Sequence, residues 1–157
     1  MKQQLYQLLA EQASALGEGC PAPLPALSNA AALLWQSLDN INWVGFYLVK
    51  DETLYLGPFQ GKVACTVIPF GKGVCGTAAQ AKELQLVKDV HLFPGHIACD
   101  SASNSEVVIP LVKDNLLYGV LDIDSPLLER FDEEDAAGLQ CFCERLLESM
   151  DWTHGFL

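Results

Sequence analysis

Six cysteines, two carboxylates and two aromatic residues are where this chain could do chemistry. The cysteines are Cys20, Cys65, Cys75, Cys99, Cys141 and Cys143. Cys99 sits in FPGHIACDSASNSE, residues 93–106, a stretch with no large apolar side chain from Cys99 until Val107. A thiol in a polar loop can be accessible, and His96 is near in sequence, so Cys99 is a candidate nucleophile. Its reactivity needs thiolate, which nearby cations favour. Asp100 and the acidic chain oppose that. Cys65 lies among apolar neighbours in KVACTVIPF, and Cys75 lies in the glycine-rich GKGVCG. The pattern contains no C-x-x-C and no zinc-knuckle spacing, and His91 and His96 would complete only an irregular zinc set, so no metal is expected. Cys141 and Cys143 are two apart in a helical stretch and point away from each other, which suits packing. Cys20 lies in a breaker loop and carries no pattern.

The carboxylates Asp122 and Asp124 share one face at the end of LLYGVLDID, because successive strand residues alternate. They are either a solvated strand end or a paired site for a cation, metal or ammonium. Trp43 and Tyr47 share a face of INWVGFYLV. They either fill a second core or wall a small apolar pocket. Gly71 to Gly76 match GxGxxG. A dinucleotide site would also need a βαβ unit and an acidic residue about 20 positions on. The helix that follows is too short for that crossover. A turn bringing the chain close to another backbone explains the glycines equally well.

The elements that must position these residues follow from periodicity. Residues 2–16 read as an amphipathic helix with Leu5, Leu8, Leu9 and Leu16 at helical spacing, and GEGCPAPLP breaks it. A second helix is expected from Ala26 to Leu38, with Leu27, Leu34 and Leu38 on one stripe. Strands are expected at 41–49, at TLYLGPF after a turn at Lys50-Asp51-Glu52, and at 62–70. TAAQAKE makes a short helix, and QLVKDV holds a brief strand. EVVIPLV and LLYGVLDID are strands joined at Lys113-Asp114-Asn115. Pro110 removes one ladder donor, so its strand is at an edge or carries a bulge. The last helix, 132–150, opens with four acids that suit its positive end. Val44, Phe46 and Leu48, with Leu117, Gly119, Leu121 and Ile123, form the natural core. Strands joined by tight turns favour an antiparallel sheet, and the class is α+β.

The chain's 157 residues suit one domain, 1–157. Half of its residues are hydrophobic and 18% are charged, which excludes a disordered chain. Its net charge of −11 argues against nucleic acid and anionic membranes as partners. No apolar run approaches a bilayer span. Gln7, Glu11 and Gln12 interrupt any signal-peptide core, so a cytoplasmic location with reduced thiols is expected.

INWVGFYL, LGPFQGKVACTVIPFGKGVCGTAA, DVHLFPGHIACDSASNSEVVIPL and GVLDIDSP together resemble the free methionine-(R)-sulfoxide reductases, which are single GAF-domain enzymes. The similarity is strongest over residues 27–135, and Cys65, Cys75 and Cys99 keep the family's order and separations. Cys20, Cys141 and Cys143 lie outside the pattern. The resemblance implies a six-stranded antiparallel sheet with flanking helices, a homodimer and no cofactor. It implies that Cys99 attacks the sulfoxide sulfur of free methionine sulfoxide and becomes a sulfenic acid. Cys65 then resolves it as a disulfide, with Cys75 able to pair or relay, and thioredoxin restores the dithiol. Trp43 and Tyr47 would line the pocket for the methyl-sulfur end. Glu106, Asp122 and Asp124 would bind and protonate the substrate. The competing expectation is a GAF sensor whose cysteines report redox state or bind a small ligand; a zinc-binding structural domain comes third.

Overall fold

The computed structural model of the chain describes residues 1–96 and 101–157. In chain order the helices are α1 (Lys2–Gly17), α2 (Pro23–Ser37), α3 (Gly73–Ala81) and α4 (Glu133–Glu148). The strands are β1 (Trp43–Lys50), β2 (Thr53–Gly61), β3 (Val67–Pro69), β4 (Gln85–Val87), β5 (Ser105–Lys113) and β6 (Leu116–Ser125). They form a six-stranded sheet in the order β3-β2-β1-β6-β5-β4, and its neighbours pair antiparallel throughout. Among the described residues no helix is long and apolar enough to cross a membrane.

Tight turns set the registers. Asp51 and Glu52 both have positive φ, as do Asp114 and Asn115. Each pair is a two-residue turn whose twist matches the flanking strands. They place Lys50 opposite Thr53 and Lys113 opposite Leu116. Both turns fall where the charged triplets predict them.

One sheet face carries the larger core. Val44, Phe46, Leu48, Leu121 and Ile123 pack there with Leu9 of α1, Leu27 and Leu34 of α2, and Leu139 and Phe142 of α4. Burying each of these large side chains stabilises the fold by about 1.5–3 kcal/mol. At the start of α4, Asp132 accepts the Asp135 N–H at 3.0 Å and Asp135 accepts the Asp132 N–H at 2.9 Å, a capping box. The buried Asp135 also takes Tyr6 Oη at 2.7 Å and Lys2 Nζ at 2.8 Å, which ties α1 to α4. Cys143 is buried on α4 while Cys141 is exposed, as their spacing predicts.

Several boundaries differ from expectation for identifiable reasons. α2 begins at Pro23, three residues early, because proline is tolerated in a first turn whose N–H groups have no intrahelical acceptor. Leu8 of α1 is exposed, and the buried face runs through Tyr6, Leu9, Ala10 and Ala13 instead. The expected strand 62–70 is reduced to Val67–Pro69, so Cys65 lies in an irregular segment and not in a strand. α3 starts at Gly73, inside the glycine-rich turn, and carries Cys75 in its first turn. Gly73 has φ +62°, and a Cβ on Gly76 would come within 2.6 Å of the Pro69 carbonyl. Close backbone approach accounts for these glycines.

Pro110 sits on a strand that is internal in the sheet order, but β4 pairs only with residues 106–108, so Pro110 lies beyond the end of its neighbour. The ladder also shifts, from Leu111 opposite Gly119 to Val112 opposite Leu117. The extra residue is Tyr118, and it reverses the alternation of β6. Leu117 therefore packs with the second face and Tyr118 with the helix-covered face, opposite to the expected pattern.

Candidate active site

The second face of the sheet holds the chemistry. Its alternation puts Trp43 and Tyr47 of β1, Asp122 and Asp124 of β6 and Glu106 of β5 on one surface. The register sets them in rows. Trp43 lies opposite Asp124, and Asp124 lies opposite Glu106. Gly45 lies opposite Asp122, and Asp122 lies opposite Val108. Aromatic residues thus form one side and carboxylates the other. α3 packs over this face and contributes Cys75, while Val74 and Ala78 join Trp43, Tyr47, Ile68 and Val108 in a second apolar cluster. Together they enclose a small cavity of about 40 Å³, which Val63, Ala64, Lys72, His96 and Ser103 complete at its margin.

The aromatic wall is rigid. Trp43 stacks on Tyr47 with centroids 5.9 Å apart and on Phe59 at 5.3 Å. Gly45 makes room for this stack, since a Cβ there would stand 2.6 Å from the Trp43 ring. Trp43 Nε1 donates to the Lys62 carbonyl at 3.1 Å, and Tyr47 Oη donates to the Cys65 carbonyl at 2.9 Å.

The acidic wall is buried. Glu106 is 7% exposed, Asp122 5% and Cys75 5%. The Cys75 Sγ lies 3.9 Å from Glu106 Oε2. Burial, then the neighbouring Asp122 charge, pushes the Glu106 carboxyl well above its usual range. Burial, then the Asp124 charge, does the same to Asp122. Burial and then the Asp122 charge raise the Cys75 thiol as well. Two carboxyls so placed hold a proton between them at pH values where a surface carboxylate would be bare. Asp122 Oδ1 is buried and has no hydrogen-bond partner among the described residues. The site can therefore donate a proton to an oxygen and receive a cationic group.

Cys75 Sγ and one oxygen each of Glu106 and Asp122 lie within 4.8 Å of one another, close enough to meet a metal ion. The irregular histidine-containing set is not assembled among the described residues. His91 turns to Asp89, with Nδ1 2.9 Å from its carboxylate. His96 stands at the cavity margin, and burial holds its pKa below the usual value, with His91 adding to the effect.

The structure thus brings together seven of the eight residues singled out from the sequence: Trp43, Tyr47, Cys65, Cys75, Glu106, Asp122 and Asp124. Cys65 is in the disulfide-bonded state, and it packs against the second cluster. Cys75 is a free thiol. Cys99 lies outside the described residues. Sequence reasoning missed Ser103, whose hydroxyl accepts from Asn42 Nδ2 at 3.0 Å. It also missed the N-terminus of α3. There the first helical bond runs from the Gly76 N–H to the Lys72 carbonyl, so the N–H groups of Gly73, Val74 and Cys75 precede it. The glycine pattern carried that signal, as the start of a helix.

A six-stranded antiparallel sheet, with α1, α2 and α4 on one face and α3 over a thiol-and-carboxylate pocket on the other, is the architecture of the GAF class. The GAF domain family model matches residues 4–148. The chain is 50% identical to the free methionine-R-sulfoxide reductase of Escherichia coli over 99% of this chain and 96% of the relative. It is 46% identical to the enzyme of the same name from Saccharomyces cerevisiae, over 88% of this chain and 82% of the relative. The structure of the free methionine-R-sulfoxide reductase from Neisseria meningitidis in complex with its substrate superposes with a TM-score of 0.90 at 42% identity, covering 95% of this chain and 90% of that one. The chain belongs to the GAF-domain family of free methionine-R-sulfoxide reductases.

Proposed function

We propose that the chain reduces free L-methionine (R)-sulfoxide to methionine by thiol chemistry. The observation that carries this reading is the buried Glu106–Asp122 pair facing the Trp43–Tyr47 wall across one pocket beside cysteines. A sulfoxide oxygen leaves only when protonated, and a carboxyl with a raised pKa supplies that proton. Glu106 and Asp122 fill this role. Asp124, on the same pocket lining, receives the substrate ammonium, a group that methionine inside a peptide lacks. The N–H groups at the start of α3, with Lys72, suit the substrate carboxylate. The aromatic wall takes the methyl-sulfur end.

Cys99 is the nucleophile. Its thiolate attacks sulfur, methionine leaves with two added electrons, and the oxygen remains on Cys99 as a sulfenic acid. Cys65 attacks that sulfur, water leaves, and a disulfide forms. The disulfide-bonded state of Cys65 and its place in an irregular segment support the assignment. Cys75 is buried in the first turn of α3 with its thiol pushed toward the neutral form, so it lines the pocket during the first attack and remains the cysteine that can pair or relay afterwards. Thioredoxin, in the cytoplasm, returns the two electrons by thiol–disulfide exchange. The working unit is the single domain 1–157, acting as a homodimer without a cofactor.

The test is turnover of the separated R and S epimers of free methionine sulfoxide, with dithiothreitol as reductant. Methionine from the R epimer alone is the expected result. No methionine from either would favour a ligand-binding or redox-sensing GAF domain.

A further inference from the structure

Between β2 and β3 the chain runs through residues 62–66 outside any helix or strand. Cys65 lies in this segment, so no sheet ladder fixes the position of its thiol. Two side chains of β1 reach it instead. The Trp43 indole N–H meets the Lys62 carbonyl at 3.1 Å, and the Tyr47 hydroxyl meets the Cys65 carbonyl at 2.9 Å. Downstream, the Leu56 N–H meets the Thr66 carbonyl at 3.0 Å. The two β1 donors stack on each other and are 3% and 2% exposed. The wall that faces the substrate is thus also the clamp on the segment carrying Cys65. Tyr47 is the closer link, because its partner is the carbonyl of the cysteine itself.

We infer that Tyr47 is a positioning residue for Cys65: its hydroxyl holds the Cys65 backbone so that the thiol meets the sulfenic acid formed at the pocket. The inference rests on the reading above, in which Cys65 resolves that acid. The step is Cys99–SOH plus Cys65–SH giving the disulfide and water. It needs no outside electrons, only the approach of one sulfur to another. The ring of Tyr47 serves the first step, as pocket wall, and the hydroxyl serves the second. Removing the oxygen alone separates them. The Cys65 carbonyl is in a half-buried residue, so water can take the vacated place and the fold tolerates the change.

The experiment is a single turnover of Tyr47→Phe on (R)-methionine sulfoxide without reductant, quenched at intervals. Methionine, remaining alkylatable thiols and dimedone-trapped sulfenic acid are measured in each sample. Disulfide formation is expected to slow about tenfold more than methionine release does, the scale of one lost hydrogen bond. The dimedone adduct should accumulate in the variant and not in wild type. Disulfide formation at the wild-type rate would overturn the inference. So would equal slowing of both steps, which would make the hydroxyl a general pocket element. Failure of the wild-type protein to release methionine would overturn the functional reading itself, and is a separate result.

Discussion

On the helix-covered side of β1 and β6, Val44, Phe46, Leu121 and Ile123 meet the apolar stripes of α1, α2 and α4. On the other side of the same two strands, Trp43, Tyr47, Asp122 and Asp124 meet α3 and the loops. Adjacent residues along one strand thus serve opposite purposes. The first face buries large side chains that need nothing but close packing. The second buries two carboxyls and a thiol whose ionisation is suppressed, an arrangement that costs stability and is the kind found at functional sites. Coupling the two through one backbone gives the pocket a rigid floor, since the acids cannot shift without moving core residues on the reverse side.

The largest expected effect is on the first face. Phe46→Ala should lower unfolding stability by about 3–5 kcal/mol in denaturant titration, through lost burial and the cavity left behind. Turnover per folded molecule should change little. A loss under about 1 kcal/mol would mean that this face is not the core.

Glu106→Gln tests the second face. Turnover with dithiothreitol should fall about 100-fold or more, the usual scale for a lost general acid. Near-normal turnover would move the proton to another group.

The same variant should gain stability, with a definite pH dependence. Burial raises the carboxyl pKa of Glu106 and Asp122, so the folded state holds protons that the unfolded chain releases above the ordinary carboxylate range. Wild-type stability contributed by these groups is therefore highest at low pH and falls as pH rises toward the raised values. Glu106→Gln should flatten that slope and stabilise the protein at neutral pH by on the order of 1 kcal/mol, about 3 °C in Tm. Thermal scans across pH 4–8 would show it, and a parallel offset at all pH values would contradict the assigned cause.

The smallest effects separate the two unassigned cysteines of α4. Cys143→Ser places a hydroxyl in the core and should cost about 1–2 kcal/mol, whereas Cys141→Ser should stay within about 0.5 kcal/mol. Neither should alter turnover.

Much of this contrast is legible in the sequence. Period-two alternation assigns Phe46 and Trp43 to opposite faces, and the charged turns at Asp51 and Asp114 fix the hairpins. Alternation alone fails at Leu117, because the extra residue at Tyr118 flips the pattern and nothing local announces it. The Cys65 segment reads as strand because its apolar content is strand-like; only the pairing of β2 with β3 shows where the ladder starts. That Glu106 stands beside Asp122 and Asp124 depends on the β5–β6 register, so its chemical role came from resemblance and its neighbours from the fold. The start of α3 was hidden inside a glycine pattern whose other explanation is a nucleotide loop.

The central claim is that Cys99 and Cys65 form the first disulfide while Cys75 stays a thiol. The direct test is to mix fully reduced protein with one equivalent of (R)-methionine sulfoxide and no reductant. The released methionine is counted, and the cysteine pairing is mapped by mass spectrometry. One methionine per chain with a Cys99–Cys65 disulfide, and Cys75 alkylated only after unfolding, is the predicted result. No methionine, or a disulfide that contains Cys75 in place of Cys65, would contradict it.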